Sequence, residues 1–181
     1  MKFILSFFLL GLFITGAYAQ KGDKAIKRKP FEKIQWMTLD EVQEQLKITP
    51  RKVFVVIYND GCGWCSEMDK KTFSNQKAVG YINEHFYAIR MNADTADTLT
   101  FKGKEYGQLP GRKTNELAAH FMNNKLSYPT SVFFDSKFEN AQPIPGYLDL
   151  KTIEMVLKFV AEPKPKNLTF EKFRNEFKGT W

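Results

Sequence analysis

The chain has 181 residues, is 43% hydrophobic and carries a formal charge of +7 at neutral pH. That length is enough for one domain with a full core. The basic residues are not interleaved with aromatics, which argues against a nucleic-acid interface, and the only histidines, His85 and His120, match no zinc-finger spacing with the single cysteine pair.

At the N-terminus, Lys2 precedes an apolar run from Phe3 to Gly16 and then Ala17-Tyr18-Ala19. A short positive start, an apolar core and an A-x-A site make residues 1–19 a signal peptide, cleaved after Ala19. The run is shorter than the ~20 residues of a spanning helix. The expected location is therefore outside the cytoplasm: the periplasm, with secretion as the alternative. Residues 20–37 form a basic leader, with Lys21, Lys24, Lys27, Arg28, Lys29 and Lys33 against Asp23 and Glu32. It reads as a solvated stretch, the alternative being attraction to an anionic surface.

Thr38-Leu39-Asp40-Glu41 fits a capping box opening a helix to about Lys47. After Pro50, Lys52–Tyr58 is an almost continuous apolar strand of the kind buried on both faces. Asn59-Asp60-Gly61 is a turn signal, and Cys62-Gly63-Trp64-Cys65 then opens a helix to about Phe73. Ser74-Asn75 breaks it, and a second helical piece carries Ala78, Ile82 and Phe86 on one face. Tyr87–Met91 reads as the next strand, completing a right-handed βαβ unit with a parallel pair.

Residues 94–112 hold Gly103, Gly107, Pro110 and Gly111 and read as an inserted loop or small hairpin. It is expected to be exposed, outside the core, and suited to selecting a partner. A helix from Thr114 to about Met122 follows. Tyr128-Pro129-Thr130 leads into a strand, Ser131–Asp135, which a turn at 136–140 joins to a strand around Pro143–Tyr147 as an antiparallel hairpin. Asp149 caps a helix with Ile153, Leu157 and Val160 in one stripe, ended by Pro163. Residues 162–181 form a helical extension whose Phe170, Phe173 and Phe177 are expected to pack on the domain itself rather than on a partner.

The chemistry lies in Cys62 and Cys65, the only cysteines. A strand, a tight turn and C-x-x-C opening a helix is a layout for a reversible dithiol. The helix N-terminus offers unpaired N–H groups and partial positive charge, which stabilise a thiolate and make it nucleophilic near neutral pH. The second cysteine, one turn on, can close an internal disulfide. A purely structural bridge across so short a gap would stabilise little.

The order βαβ, helix, β-hairpin and closing helix is the thioredoxin-like arrangement, and the residues resemble that superfamily directly. Cys62-Gly63-Trp64-Cys65 matches its active-site motif at the strand–helix junction, and Tyr128-Pro129-Thr130 matches its proline loop before a core strand. The fuller string, Asp60-Gly61-Cys62-Gly63-Trp64-Cys65 with Met68-Asp69 and Thr72-Phe73, is similar to the exported bacterial branch of thioredoxin-related proteins. The resemblance covers residues 38–161. It implies an α/β fold: a central mixed sheet flanked by helices, here with an inserted loop and a C-terminal helical extension. It also implies a cis bond before Pro129, with that loop lying against the cysteines and pairing with substrate backbone. One position departs from the pattern. Six residues ahead of the first cysteine, where many thioredoxins carry a buried acid, stands Val56. Glu67 is the candidate for proton transfer in its place, or else an exposed helix residue.

The expected function is a thiol:disulfide oxidoreductase, a reductase of protein disulfides more than an oxidase. Cys62 attacks and Cys65 resolves, with no cofactor and no metal. Its partners would be protein thiols and disulfides and a membrane or soluble redox partner that recycles it, with a monomer as the expected state. The alternative is a non-catalytic thioredoxin-fold binding module or a copper chaperone, since two soft thiolates suit Cu(I), although no Met-rich or His-rich tract accompanies them.

Overall fold

The computed structural model describes residues 33–181; the stretch read as a signal peptide and nearly all of that read as a basic leader lie outside the described residues. The elements in chain order are β1 (Trp36–Met37), α1 (Leu39–Ile48), β2 (Lys52–Tyr58), α2 (Gly63–Lys71), α3 (Gln76–His85), β3 (Phe86–Asn92), β4 (Leu99–Phe101), β5 (Lys104–Tyr106), α4 (Glu116–Phe121), β6 (Thr130–Phe134), β7 (Gln142–Pro145), α5 (Leu150–Ala161) and α6 (Phe170–Glu176).

β2 sits at the centre of a five-stranded sheet of order β1-β3-β2-β6-β7. β1, β3 and β2 run parallel, while β6 pairs antiparallel with both β2 and β7. Because side chains alternate along a strand, the apolar run of β2 serves two cores. Val53, Val55 and Ile57 join α1 and α4 on one face, with Leu39, Val42, Leu117 and Phe121. Phe54 and Val56 join α2, α3 and α5 on the other, with Met68, Val79, Ile82 and Leu157.

Local signals set the helix starts. The capping box at Thr38 and Glu41 is formed, and Asn75, Asn115, Asp149 and Thr169 each accept a backbone N–H at the start of a helix. Phe86 belongs to β3 and not to the α3 face, since α3 ends at His85 and the strand register begins at Phe86 opposite Lys52.

Two expectations need correction. The sheet begins inside the stretch read as leader: Ile34 is buried, and Trp36 and Met37 pair with Ala88 and Ile89 of β3. The insertion at 94–112 is not outside the core. Its hairpin, β4–β5, buries Phe101 against Phe121 and Phe138, with ring centroids 5.1 and 4.8 Å apart. The buried Asn115 amide donates to the carbonyls of Asp97 and Tyr106, both at 3.1 Å, and Gln43 of α1 grips the hairpin backbone at Thr100 and Lys102. Polarity and glycines mark the turns of this segment, but its one inward phenylalanine determines how it packs.

The end of the chain folds back on the domain. Phe170 and Phe173 pack on Phe159 of α5, with ring centroids 5.1 and 5.3 Å away. Beyond α6, Glu154 of α5, 1% exposed, accepts the backbone N–H groups of Thr180 and Trp181, the Thr180 hydroxyl and the Lys158 ammonium. Burial alone would raise the pKa of this carboxyl, but the donors outweigh it and hold the group at about 2.

Candidate active site

The site grows from the C-terminal end of β2. The turn that leaves the strand has Gly61 at φ +74°, a left-handed conformation that glycine adopts without steric cost. The turn is tied to the end of β3: Asn92 Nδ2 donates to Asp60 Oδ1 at 3.1 Å, and the Asp60 N–H donates to Asp94 Oδ2 at 3.3 Å. Cys62 then occupies the N-cap of α2 in extended conformation, and its Sγ accepts the backbone N–H of Cys65 at 3.1 Å. No acidic residue lies in the first turn of α2, so nothing there opposes negative charge on Cys62.

Cys62 and Cys65 are joined by a disulfide, with Cα atoms 5.3 Å apart. They differ in access. Cys62 is half-buried, whereas Cys65 is buried at 5% exposure. Between them Gly63 is exposed, and Trp64 is 64% exposed. The Trp64 ring lies 5.6 Å from that of Tyr147. Tyr147 follows β7 and carried no sequence signal, because nothing local connects it to a helix eighty residues earlier.

The Tyr128–Pro129 bond is cis, and Pro129 is buried. The Pro129 carbonyl accepts the Gly146 N–H at 2.7 Å, and the Thr130 hydroxyl donates to the Ser127 carbonyl at 2.7 Å. Thr130 pairs with Ile57 of β2, one residue before its last. The proline loop therefore enters the sheet at the end of β2 from which the cysteine turn leaves.

Glu67 is engaged elsewhere. Its carboxylate pairs with Lys71 at 2.5 Å, and that hydrogen bond and charge lower its pKa. A group held more acidic than usual is a poorer acceptor for a thiol proton, so its surroundings favour the exposed-helix role. Val56 lies on the α2 side of the sheet, in one cluster with Met68. Beside it in register stand Arg90 on β3 and Ser131 on β6, and Arg90 is paired with Asp69 of α2 at 2.6 Å. Neither Arg90 nor Ser131 was singled out in the sequence, since only strand register places them next to Val56. Among the described residues, no group of three or more His, Cys, Asp or Glu side chains is placed to hold a metal.

The family model of the thioredoxin-like domain matches residues 39–161. Among solved structures, a thioredoxin-fold protein from Helicobacter pylori aligns at 21% identity and a TM-score of 0.52, over 70% of this chain and 80% of its own. A protein described as a putative disulphide-isomerase from Bacteroides thetaiotaomicron aligns at 18% identity and a TM-score of 0.52, over 76% of this chain and 99% of its own. A DsbH oxidoreductase aligns at 14% identity and a TM-score of 0.51, over 77% and 94%. At these identities the likeness is one of fold. No curated protein matches the chain.

Proposed function

The chain belongs to the thioredoxin-like domain family, and from that premise we propose that it is an exported thiol:disulfide oxidoreductase that reduces protein disulfides. The observation carrying this reading is the asymmetry of the cysteine pair. One sulfur caps a helix N-terminus at the surface, and the other is buried one turn behind it at disulfide distance.

In the reduced protein, the Cys62 thiolate is stabilised by the Cys65 N–H and the helix N-terminus. It attacks one sulfur of a client disulfide, forming a Cys62–client bond and releasing the other client sulfur as a thiolate. Cys65, as thiolate, then attacks Cys62 Sγ. The Cys62–Cys65 disulfide forms, the client bond breaks, and the client sulfur takes up a proton. Two electrons pass from the pair to the client. Gly63 leaves the approach to Cys62 open. Trp64 and Tyr147 offer an aromatic surface to apolar client residues, and Tyr128, Pro129 and Thr130 form the wall against which client backbone lies. A second dithiol, membrane-bound or soluble, restores the reduced pair. Export rests on the signal-peptide pattern of residues 1–19.

The test is the equilibrium reduction potential of the pair. A value near that of thioredoxin, about −270 mV, supports a reductase, and one near about −120 mV makes the protein an oxidase. A pair that exchanges with no protein disulfide at any poise overturns the enzyme reading.

A further inference from the structure

Among the described residues, two buried side-chain oxygens have no hydrogen-bond partner, the Tyr128 hydroxyl and Ser131 Oγ. Such a group needs an account, because leaving a buried hydroxyl unpaired is less stable than placing a methyl there. Tyr128 packs against the α1–α4 core, on the far side of the sheet from α2. Ser131 is fully buried in the middle of the sheet, between Val56 on β2 and Ile144 on β7.

Strand geometry gives its direction. Directly opposed residues project to the same face, and side chains two apart along a strand share a face. Val56 and Phe133 both belong to the core beneath α2, so Ser131 Oγ belongs to that layer too. Cys65 and Met68 of α2 and Thr72 at its C-cap follow the spacing of one helix face. All three are buried. Met68 joins the cluster of Val56 and Phe133, and the Thr72 hydroxyl donates to the Leu148 carbonyl, just past β7, at 2.8 Å. The helix therefore lies across β2, β6 and β7 with Cys65 turned toward the sheet. The unpartnered hydroxyl and the buried cysteine face the same layer, at the position where Val56 supplies no polar atom.

Resting on the oxidoreductase reading, we infer that Ser131 is a positioning residue for the resolving step: its hydroxyl donates a hydrogen bond, directly or through one water, to the Cys65 sulfur when that sulfur becomes a thiolate. In the disulfide the Cys65 sulfur carries no charge and is bonded to Cys62, and Ser131 Oγ makes no hydrogen bond to it; the thiolate of the reduced pair is a much stronger acceptor. In the mixed disulfide, Cys65 loses its proton to solvent. Its thiolate forms the bond to Cys62 Sγ, and the client sulfur leaves as thiolate and is protonated. A donor to the Cys65 thiolate raises the fraction present near neutral pH. Two ion pairs border this layer, and Lys70 of α2 is exposed to solvent. Asp69 of α2 holds Arg90 of β3, and Glu67 holds Lys71 on the outer side of α2. The phenols of Tyr58, Tyr128 and Tyr147 are the tyrosine hydroxyls on elements bordering the site.

The experiment starts from the full chain carrying a preformed mixed disulfide between Cys62 and glutathione. Release of glutathione is followed from pH 5 to 9 for the parent protein, Ser131→Ala and Ser131→Thr. Ser131→Ala should resolve about three- to tenfold more slowly at pH 7, with its pH profile displaced upward. Its melting temperature should be equal or higher, and its rate of initial attack by Cys62 on oxidised glutathione unchanged. Ser131→Thr, which keeps the hydroxyl, should recover most of the rate. A Ser131→Ala protein with the parental rate and pH profile overturns the assignment, as does a slowed one that also loses stability and Cys62 attack. If the parent protein itself never resolves the mixed disulfide, it is the oxidoreductase reading that falls.

Discussion

Cys62 Sγ accepts the backbone N–H of Cys65 at 3.1 Å from the N-cap of α2. The sulfur most open to attack is thus also the one on which backbone dipoles converge. In the reduced protein this predicts a Cys62 thiol that ionises below the ~8.5 of a free cysteine, and a Cys65 that is slow to react because it is buried. At pH 6, iodoacetamide should label Cys62 at least several-fold faster than Cys65. Cys65→Ala should accumulate mixed disulfides with client proteins, and Cys62→Ala should not. Equal labelling of both thiols would contradict the division of roles.

The parts of this site that sequence made legible are those carried by local signals. β2 is bounded as its apolar run suggested, the Asn75 break separates α2 from α3, and Cys62 stands at a helix start because a turn precedes it and a helix-compatible stretch follows. The parts that were not legible depend on long-range placement. β1 is two residues long and shows no periodicity. Tyr147 meets Trp64, and Ser131 stands beside Val56, only once the sheet is assembled. The Glu154 contacts join residues twenty-six apart across a proline break, and helix periodicity would place a glutamate in solvent.

The hairpin at 94–112 is held by its inward phenylalanine. Phe101→Ala removes a buried ring that packs on Phe121 and Phe138, and should destabilise the domain by about 3–5 kcal/mol, a fall in melting temperature of roughly 10 °C. Cys62 reactivity should be unaffected in the folded fraction. A loss below a degree or two would show that the hairpin rests on the surface after all.

Glu154 links the final segment to pH. Its carboxyl titrates at about 2 in the folded protein, below its ordinary value of 4.5. A depressed acid stabilises the fold above its unfolded pKa, and the contribution is lost as pH falls toward the folded one. The contribution, on the order of 3 kcal/mol, should therefore be full at pH 7 and decline between about pH 4.5 and 2. Glu154→Gln should melt lower than the parent at pH 7, with the gap narrowing toward pH 3. A gap that stays constant across that range would contradict the linkage.

Val56 is 4% exposed in the core beneath α2. Val56→Asp should lower stability by ~1–3 kcal/mol, since it sets a carboxyl among the buried apolar side chains of that core. Burial would raise its pKa and let it accept a proton from Cys65, so resolution of the mixed disulfide near pH 7 should speed up. A variant that is as stable as the parent and no faster would show that position 56 does not communicate with the cysteines.

The most direct measurement is the dithiothreitol-driven reduction of insulin disulfides, followed by turbidity, with the parent protein, Cys62→Ser and Cys65→Ser at equal concentration. A dithiol oxidoreductase should give turnover well above the uncatalysed rate for the parent, background for Cys62→Ser, and for Cys65→Ser little turnover with insulin held on Cys62. A parent protein no faster than dithiothreitol alone, while its Cys62–Cys65 disulfide is demonstrably reduced, would contradict that reading.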